Sequence, residues 1–230
     1  NCIIDEKGKD FYWHINVNNC TGNQFTLFNK ATVKFKDFYM GKSGTPAISQ
    51  RVFVGEDCTL SLNGGFSMTG SGNTLTISNG TLQAASQNAF SWNSGENNSI
   101  IFVGTKPQLL ATADDGKVKI SSGSTITFDL TKGTYTGAPI KGNSIEILDG
   151  NAVRFVGLDA VRENLQSSID IPLMQSVSGC SFNATELNAT LPAGVKVVMY
   201  DNKSAVYARM ISERNNIAAG YLADGEKQAK

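Results

Sequence analysis

The stretch "GNTLTISNGTLQA", residues 72–84, places Asn79-Gly80 between two short runs that each alternate apolar and polar residues. Side chains alternate across a strand, so Leu75 and Ile77 share one face, and Leu82 and Ala84 rejoin it beyond a two-residue turn. The same grammar recurs along the chain. Leu60 and Leu62 precede "NGG", then Phe66 and Met68; Val118 and Ile120 precede "SSGST", then Ile126 and Phe128; Ile145 and Ile147 precede "LDGNA", then Val153 and Phe155. A looser copy is "SIIFVGTKPQLLA". The turn glycines Gly64, Gly80, Gly104, Gly123 and Gly150 stand 16, 24, 19 and 27 residues apart, an irregular repeat. Units of roughly 20 residues with one apolar face each are not stable alone and must stack on their neighbours.

Two all-β architectures meet that need. In a right-handed parallel β-helix each unit is one coil with apolar residues pointing into a long core. In an antiparallel β-sandwich each unit is a hairpin closed by its Asn-Gly or Asp-Gly turn. Parity keeps the apolar pairs inside either way. The short strands and the clustering of intervals near one coil length favour the β-helix, with the sandwich as the alternative.

Residues 1–50 are more aromatic and more basic, with Ala31, Val33 and Phe35 on one face and Lys34 and Lys36 on the other. Longer strands there suit a capping or first coil. Residues 51–156 are the repeat region. In 157–222, a closing region, "LDAVRENLQSS" spaces Leu158, Val161 and Leu165 for one short helix, and strands follow, with Asp201-Asn202 as a turn. Residues 223–230 read as a flexible tail.

Twenty basic residues balance twenty acidic ones, so no global field draws the chain to nucleic acid, and a partner must be found by local surface. No apolar run is long enough for a transmembrane helix, and "NCIIDEKGKD" has no hydrophobic signal core, so any targeting peptide lies outside these residues. Cys2, Cys20, Cys58 and Cys180 lack metal-ligand spacing. They fit either disulfides in an oxidising compartment or buried thiols. The sequons at Asn19, Asn79, Asn97, Asn183, Asn188 and Asn202 are what chance yields in a chain rich in Asn, Ser and Thr.

His14 is the single histidine, which excludes metal sites needing two, and no nucleophile motif accompanies it. Neither a metal nor a cofactor is expected. Asp114-Asp115 is the one acidic doublet of the repeat region and the candidate for paired-acid cleavage of a polysaccharide. Adjacent strand residues point apart, however, and "DDG" also makes a turn. Trp92, with Asn93 and Asn97 in the polar "FSWNSGENNS", could stack on a sugar ring, or fold over a corner of the core.

The grammar of "GNTLTISNGTLQA", "GKVKISSGSTITFDL" and "GNSIEILDGNAVRFVG" resembles bacterial surface solenoids, namely autotransporter passenger regions and autotransporter-associated β-strand repeats, over roughly residues 52–210. The later "IDIPLMQSVSG" and "LPAGVKVVMYDNKSAVYA" are similar to the closing portion of such regions. The resemblance implies an exported, extracellular or cell-surface β-helix serving as adhesin, stalk or display scaffold, with surface glycans or another protein as partner. Four cysteines depart from that pattern, and the resemblance transfers no site residue. The expectation is therefore a non-enzymatic repeat protein with apolar ladders inside and Asn/Thr ladders outside. The alternatives are a polysaccharide lyase or hydrolase on a β-helix, and a carbohydrate-binding sandwich using Trp92.

Overall fold

A computed structural model describes residues 3–5, 12–15, 21–41, 47–162, 167–183 and 191–211. The chain is a parallel β-solenoid of about five turns. Strands β1 (Ile3–Asp5) and β2 (Tyr12–Ile15) belong to the first described coil, followed by β3 (Gln24–Leu27), β4 (Thr32–Phe35) and β5 (Asp37–Met40). After the short β6 (Ala47–Ile48) come β7 (Arg51–Val54), β8 (Thr59–Leu62) and β9 (Phe66–Ser71). The next coil is β10 (Thr74–Ser78), β11 (Thr81–Ala84) and β12 (Phe90–Ser94). It is followed by β13 (Asn98–Val103), β14 (Gln108–Ala111) and β15 (Lys117–Ile120). Then β16 (Ser124–Asp129) leads to the long β17 (Ile140–Ile147). The chain closes with β18 (Ala152–Val156), helix α1 (Leu158–Arg162), β19 (Ile169–Ser181), β20 (Val195–Tyr200) and β21 (Ala205–Met210).

Each coil has three faces. The first is a six-stranded parallel sheet ordered β18-β16-β13-β10-β7-β3. The second and third run β1-β4-β8-β11-β14 and β15-β12-β9-β5-β2, and β17 joins them because its start pairs with β14 and its end with β15. Along the first face one coil is 23 to 27 residues, longer than the glycine spacing implies.

The sandwich alternative fails at Asn79-Gly80. A two-residue hairpin turn of this kind needs positive φ at both central residues, but only Asn79 has it, at 49°. The chain therefore turns a corner instead of reversing, and Thr81–Ala84 pairs in parallel with Thr59–Leu62 of the coil before. Gly80 is required for closeness: a Cβ there would meet the Gly55 carbonyl.

The inward parity holds throughout. Every apolar pair read from the repeats, from Leu60 and Leu62 to Val153 and Phe155, is buried in one core. In-register stacking turns these pairs into ladders. Phe102 and Phe128 stack at 5.6 Å and 15°, and Phe128 and Phe155 at 5.6 Å and 25°, while Phe38 and Phe66 stack at 5.5 Å. Tyr135, in the loop between β16 and β17, also enters the core, where its Oη donates to the Phe102 carbonyl and burial raises its pKa.

The outer rows carry Thr and Ser, such as Thr32, Thr59 and Thr81, or Thr74, Ser99 and Thr125. The asparagines depart from the expectation, since their ladder is inside. At the corner entering the first face, Gln50, Asn73, Asn98, Ser124 and Asn151 are all buried. Asn73 Oδ1 accepts the Gln50 N–H at 3.0 Å, and Asn98 Oδ1 accepts the Asn73 N–H at 2.9 Å. Asn151 Oδ1 does the same for the Ser124 N–H at 2.9 Å. The amide of Asn98 donates back to the Gly70 carbonyl at 2.8 Å.

The described part of residues 1–50 carries no longer strands: β3, β4 and β5 have four residues each and repeat the coil plan. Helix α1 has Leu158 buried and Val161 against the core, while Leu165 and the tail 223–230 lie outside the described residues. The parallel mode ends at β19, which pairs with β17 on one side and antiparallel with β21 on the other. Strands β20 and β21 form a hairpin, with Asp201, Asn202 and Lys203 all at positive φ in its turn. Among the described residues no helix is long and apolar enough to cross a membrane.

Two outcomes follow from this arrangement. Asn98→Ala removes the acceptor of a buried N–H and should cost about 2–4 kcal/mol, whereas the outward Ser99→Ala should stay within about 0.5 kcal/mol; equal urea midpoints for the two would contradict the ladder. At an outer corner the Asp57 carboxylate meets Lys106 Nζ at 3.1 Å and Lys30 Nζ at 3.4 Å, and these hold its pKa below the usual value, Lys106 most strongly. Because the folded pKa is depressed, the stabilisation is present above the unfolded value and is lost as pH falls through the folded one. Asp57→Asn should thus be slightly less stable than wild type at neutral pH in low salt, with the gap closing in acid and in high salt, as denaturation midpoints will show.

Candidate functional site

The sequence-derived candidates separate when placed on the fold. Asp114 and Asp115 are exposed in a turn closed by the Gly116 N–H on the Ala113 carbonyl at 2.9 Å. The turn geometry therefore accounts for the doublet. His14 lies on β2 opposite Tyr39.

Trp92 is a correction. It is not in a polar loop but on β12, 1% exposed, with its ring 5.7 Å from Phe66 and 6.4 Å from Phe90. Strand parity explains this: Phe90 and Trp92 are two residues apart and both face inward, in register with Phe66 and Met68. The indole cannot stack on a ligand from solvent. Asn97 is exposed at the corner with φ 60°, and the Asn93 side chain lies outside the described residues.

Cys58 and Cys180 are buried free thiols. Cys58 directly precedes β8 and Cys180 lies on β19, in register with Ile145 on the third-face end of β17, so four strand steps separate them along the axis, from β8 through β11, β14 and β17 to β19. At about 4.8 Å per step that is roughly 19 Å, beyond the ~7 Å Cα limit of a disulfide. Burial raises the Cys180 pKa, against a smaller opposing effect of the Ser176 hydroxyl. Cys2 and Cys20 lie outside the described residues.

A constellation that the sequence did not single out forms on the outer face of the C-terminal layer. On β21, Val206, Ala208 and Met210 are buried, so Tyr207 and Arg209 point outward. Register places Asp170 of β19 directly across from Arg209, and Lys196 of β20 on Arg209's other side. Arg209 Nε donates to Asp170 Oδ1 and Nη2 to Oδ2, both at 2.8 Å, a bidentate pair. The Tyr200 hydroxyl donates to Asp170 Oδ2 at 3.0 Å.

The guanidinium lies 5.5 Å from the centre of the Tyr200 ring, and Tyr200 meets Tyr207 edge to face at 5.5 Å. The Arg209 side chain remains 41% exposed and that of Asp170 30%, and both tyrosines are half-buried. The result is a fixed surface of two phenol rings, a guanidinium and a carboxylate. Its chemistry is recognition, since each group orients another while part of it stays in solvent.

The hairpin "VKVVMYDNKSAVYARM" gave the signal for half of this surface, because alternation about its turn puts Lys196, Val198 and Tyr200 on the side of Tyr207 and Arg209. Asp170 lies 39 residues before Arg209 and required the topology. Among the described residues no group of three His, Cys, Asp or Glu is placed to hold a metal ion. Comparison with protein-family models, with curated proteins and with solved structures gave no match.

The placement of Trp92 makes a measurable claim. Trp92→Ala should act as a core truncation, lowering stability by about 3–5 kcal/mol in urea titration. A variant as stable as wild type would return the indole to the surface.

Proposed function

We propose that the chain is a rod-like scaffold of the extracellular or cell-surface kind, an adhesin or stalk without catalytic chemistry of its own, which presents a recognition surface on its C-terminal layer. The carrying observation is the mutual fixing of Asp170, Arg209, Tyr200 and Tyr207 on one outward face. Elsewhere the coil interior is apolar apart from the corner ladder of Gln50, Asn73, Asn98, Ser124 and Asn151 and from Ser176, and the outward rows cited above carry short Thr and Ser, a composition that favours a stiff, hydrated rod over a reacting cleft. The parallel solenoid and the resemblance of its repeats to surface passenger regions support the location.

Beads carrying the full chain supply the test. They should adhere to glycan-coated or protein-coated surfaces under flow, and Tyr207→Ala/Arg209→Ala should lose most of that adhesion while keeping the wild-type circular dichroism and urea midpoint of the solenoid. Adhesion equal to wild type in the double variant contradicts the assignment of the surface. Release of reducing or unsaturated sugar from a polysaccharide by wild type overturns the scaffold reading in favour of a lyase or hydrolase.

A further inference from the structure

We infer that the Asp170–Arg209–Tyr200–Tyr207 surface binds an uncharged saccharide, an inference that rests on the recognition role proposed above. Charge complementarity selects this ligand. The guanidinium is neutralised by the carboxylate that it holds bidentately at 2.8 Å. A uronate or sulfate arriving here would meet Asp170 as well as Arg209. Lys196, opposite Arg209 on the edge strand among the described residues, is exposed, where salt screens it.

A pyranose makes different demands, and this surface meets them. Its C–H face needs a flat apolar platform, which the partly exposed Tyr207 ring supplies, braced edge to face by Tyr200. Its vicinal hydroxyls need donors and acceptors fixed a few ångström apart. Asp170 engages Nε and Nη2 of Arg209 and leaves the Nη1 protons for a sugar oxygen, while the Asp170 side chain stays 30% exposed and Oδ1, which accepts a single bond from Nε, keeps a lone pair as an acceptor. Because the four groups already constrain one another, little side-chain entropy is lost on binding. The groups lie along one sheet face across three strands, which fits an internal segment of a polymer better than a small sugar enclosed in a pocket.

The experiment is isothermal titration of the full chain with neutral hexasaccharides of β-1,4-glucan, β-1,3-glucan, β-1,4-mannan and α-1,4-glucan, and with a hexagalacturonate, at low salt and in 0.5 M NaCl. At least one neutral hexasaccharide should bind at both salt concentrations. Tyr207→Ala should weaken it about tenfold, and Tyr200→Phe, which keeps the ring and removes the hydroxyl that orients Asp170, should weaken it less. Hydrogen exchange of Val206, Ala208 and Met210 amides reports whether the hairpin layer is intact in each variant. Binding of hexagalacturonate alone, abolished by salt, overturns the inference by making the surface a cation patch. Absence of binding to every saccharide, with bead adhesion to protein-coated surfaces retained, overturns the inference and leaves the scaffold reading in place; loss of adhesion as well sinks both.

Discussion

The structure depends on the buried corner where each coil enters its first face. A parallel solenoid must turn its backbone into the interior there, and an unpaired N–H in that position costs about 1–3 kcal/mol. The chain answers with side chains instead of water: Asn73, Asn98 and Asn151 each accept the N–H of the equivalent residue one coil earlier. The bond exists only if the next coil arrives in register. Each corner thereby specifies its neighbour, which is why the first face keeps coils of 23 to 27 residues. The larger insertion, the loop carrying Tyr135, leaves from the opposite end of the first-face strand, where no such ladder is disturbed.

Once register is fixed, packing follows from identity of position. Phe38, Phe66 and Phe90 occupy one rung position in successive coils, and Met40, Met68 and Trp92 another. Like stacks on like at ring distances of 5.5 to 6.3 Å. Among the described residues the parallel stacking of β17 on β19 gives way to chain reversal. The hairpin of β20 and β21 lays an antiparallel layer along β19, burying Val206, Ala208 and Met210, and leaves Lys196 on the edge strand among those residues, where a charge opposes pairing with another chain.

Parity made the core legible. Because side chains alternate whatever the neighbour, Leu75, Ile77, Leu82 and Ala84 could be placed inside from the letters alone, and they are. Direction of pairing was not written in parity, since hairpin and coil bury the same residues. What decides it is the sign of φ at Gly80, a property of the folded corner that no residue type dictates. Trp92 misleads for a related reason. Its polar neighbours Ser91, Asn93 and Ser94 belong to β12 itself and run on into the polar corner at residues 95–97, and the strand's own register with Phe66 and Met68 is visible only once coils are aligned. The inward asparagines were missed because Asn in a turn-rich chain reads as turn, and its role as an acceptor depends on a partner 23 to 27 residues away.

The candidate site was the least legible part, and the physics of the fold explains why. Positions that point inward answer to the ladders, and positions at corners answer to backbone geometry, so both leave a repeating signature. Outward positions answer to neither, and their chemistry can vary from coil to coil without changing the register. A functional surface on a solenoid must therefore be recognised by how residues fix one another, not by their pattern along the chain. Asp170, Tyr200, Tyr207 and Arg209 satisfy that criterion through bonds that join all three strands of the terminal layer. The terminal layer frees a sheet face from the parallel repeat, since in the antiparallel pairing of β19 with β21 a carboxylate and a guanidinium from distant segments meet side by side.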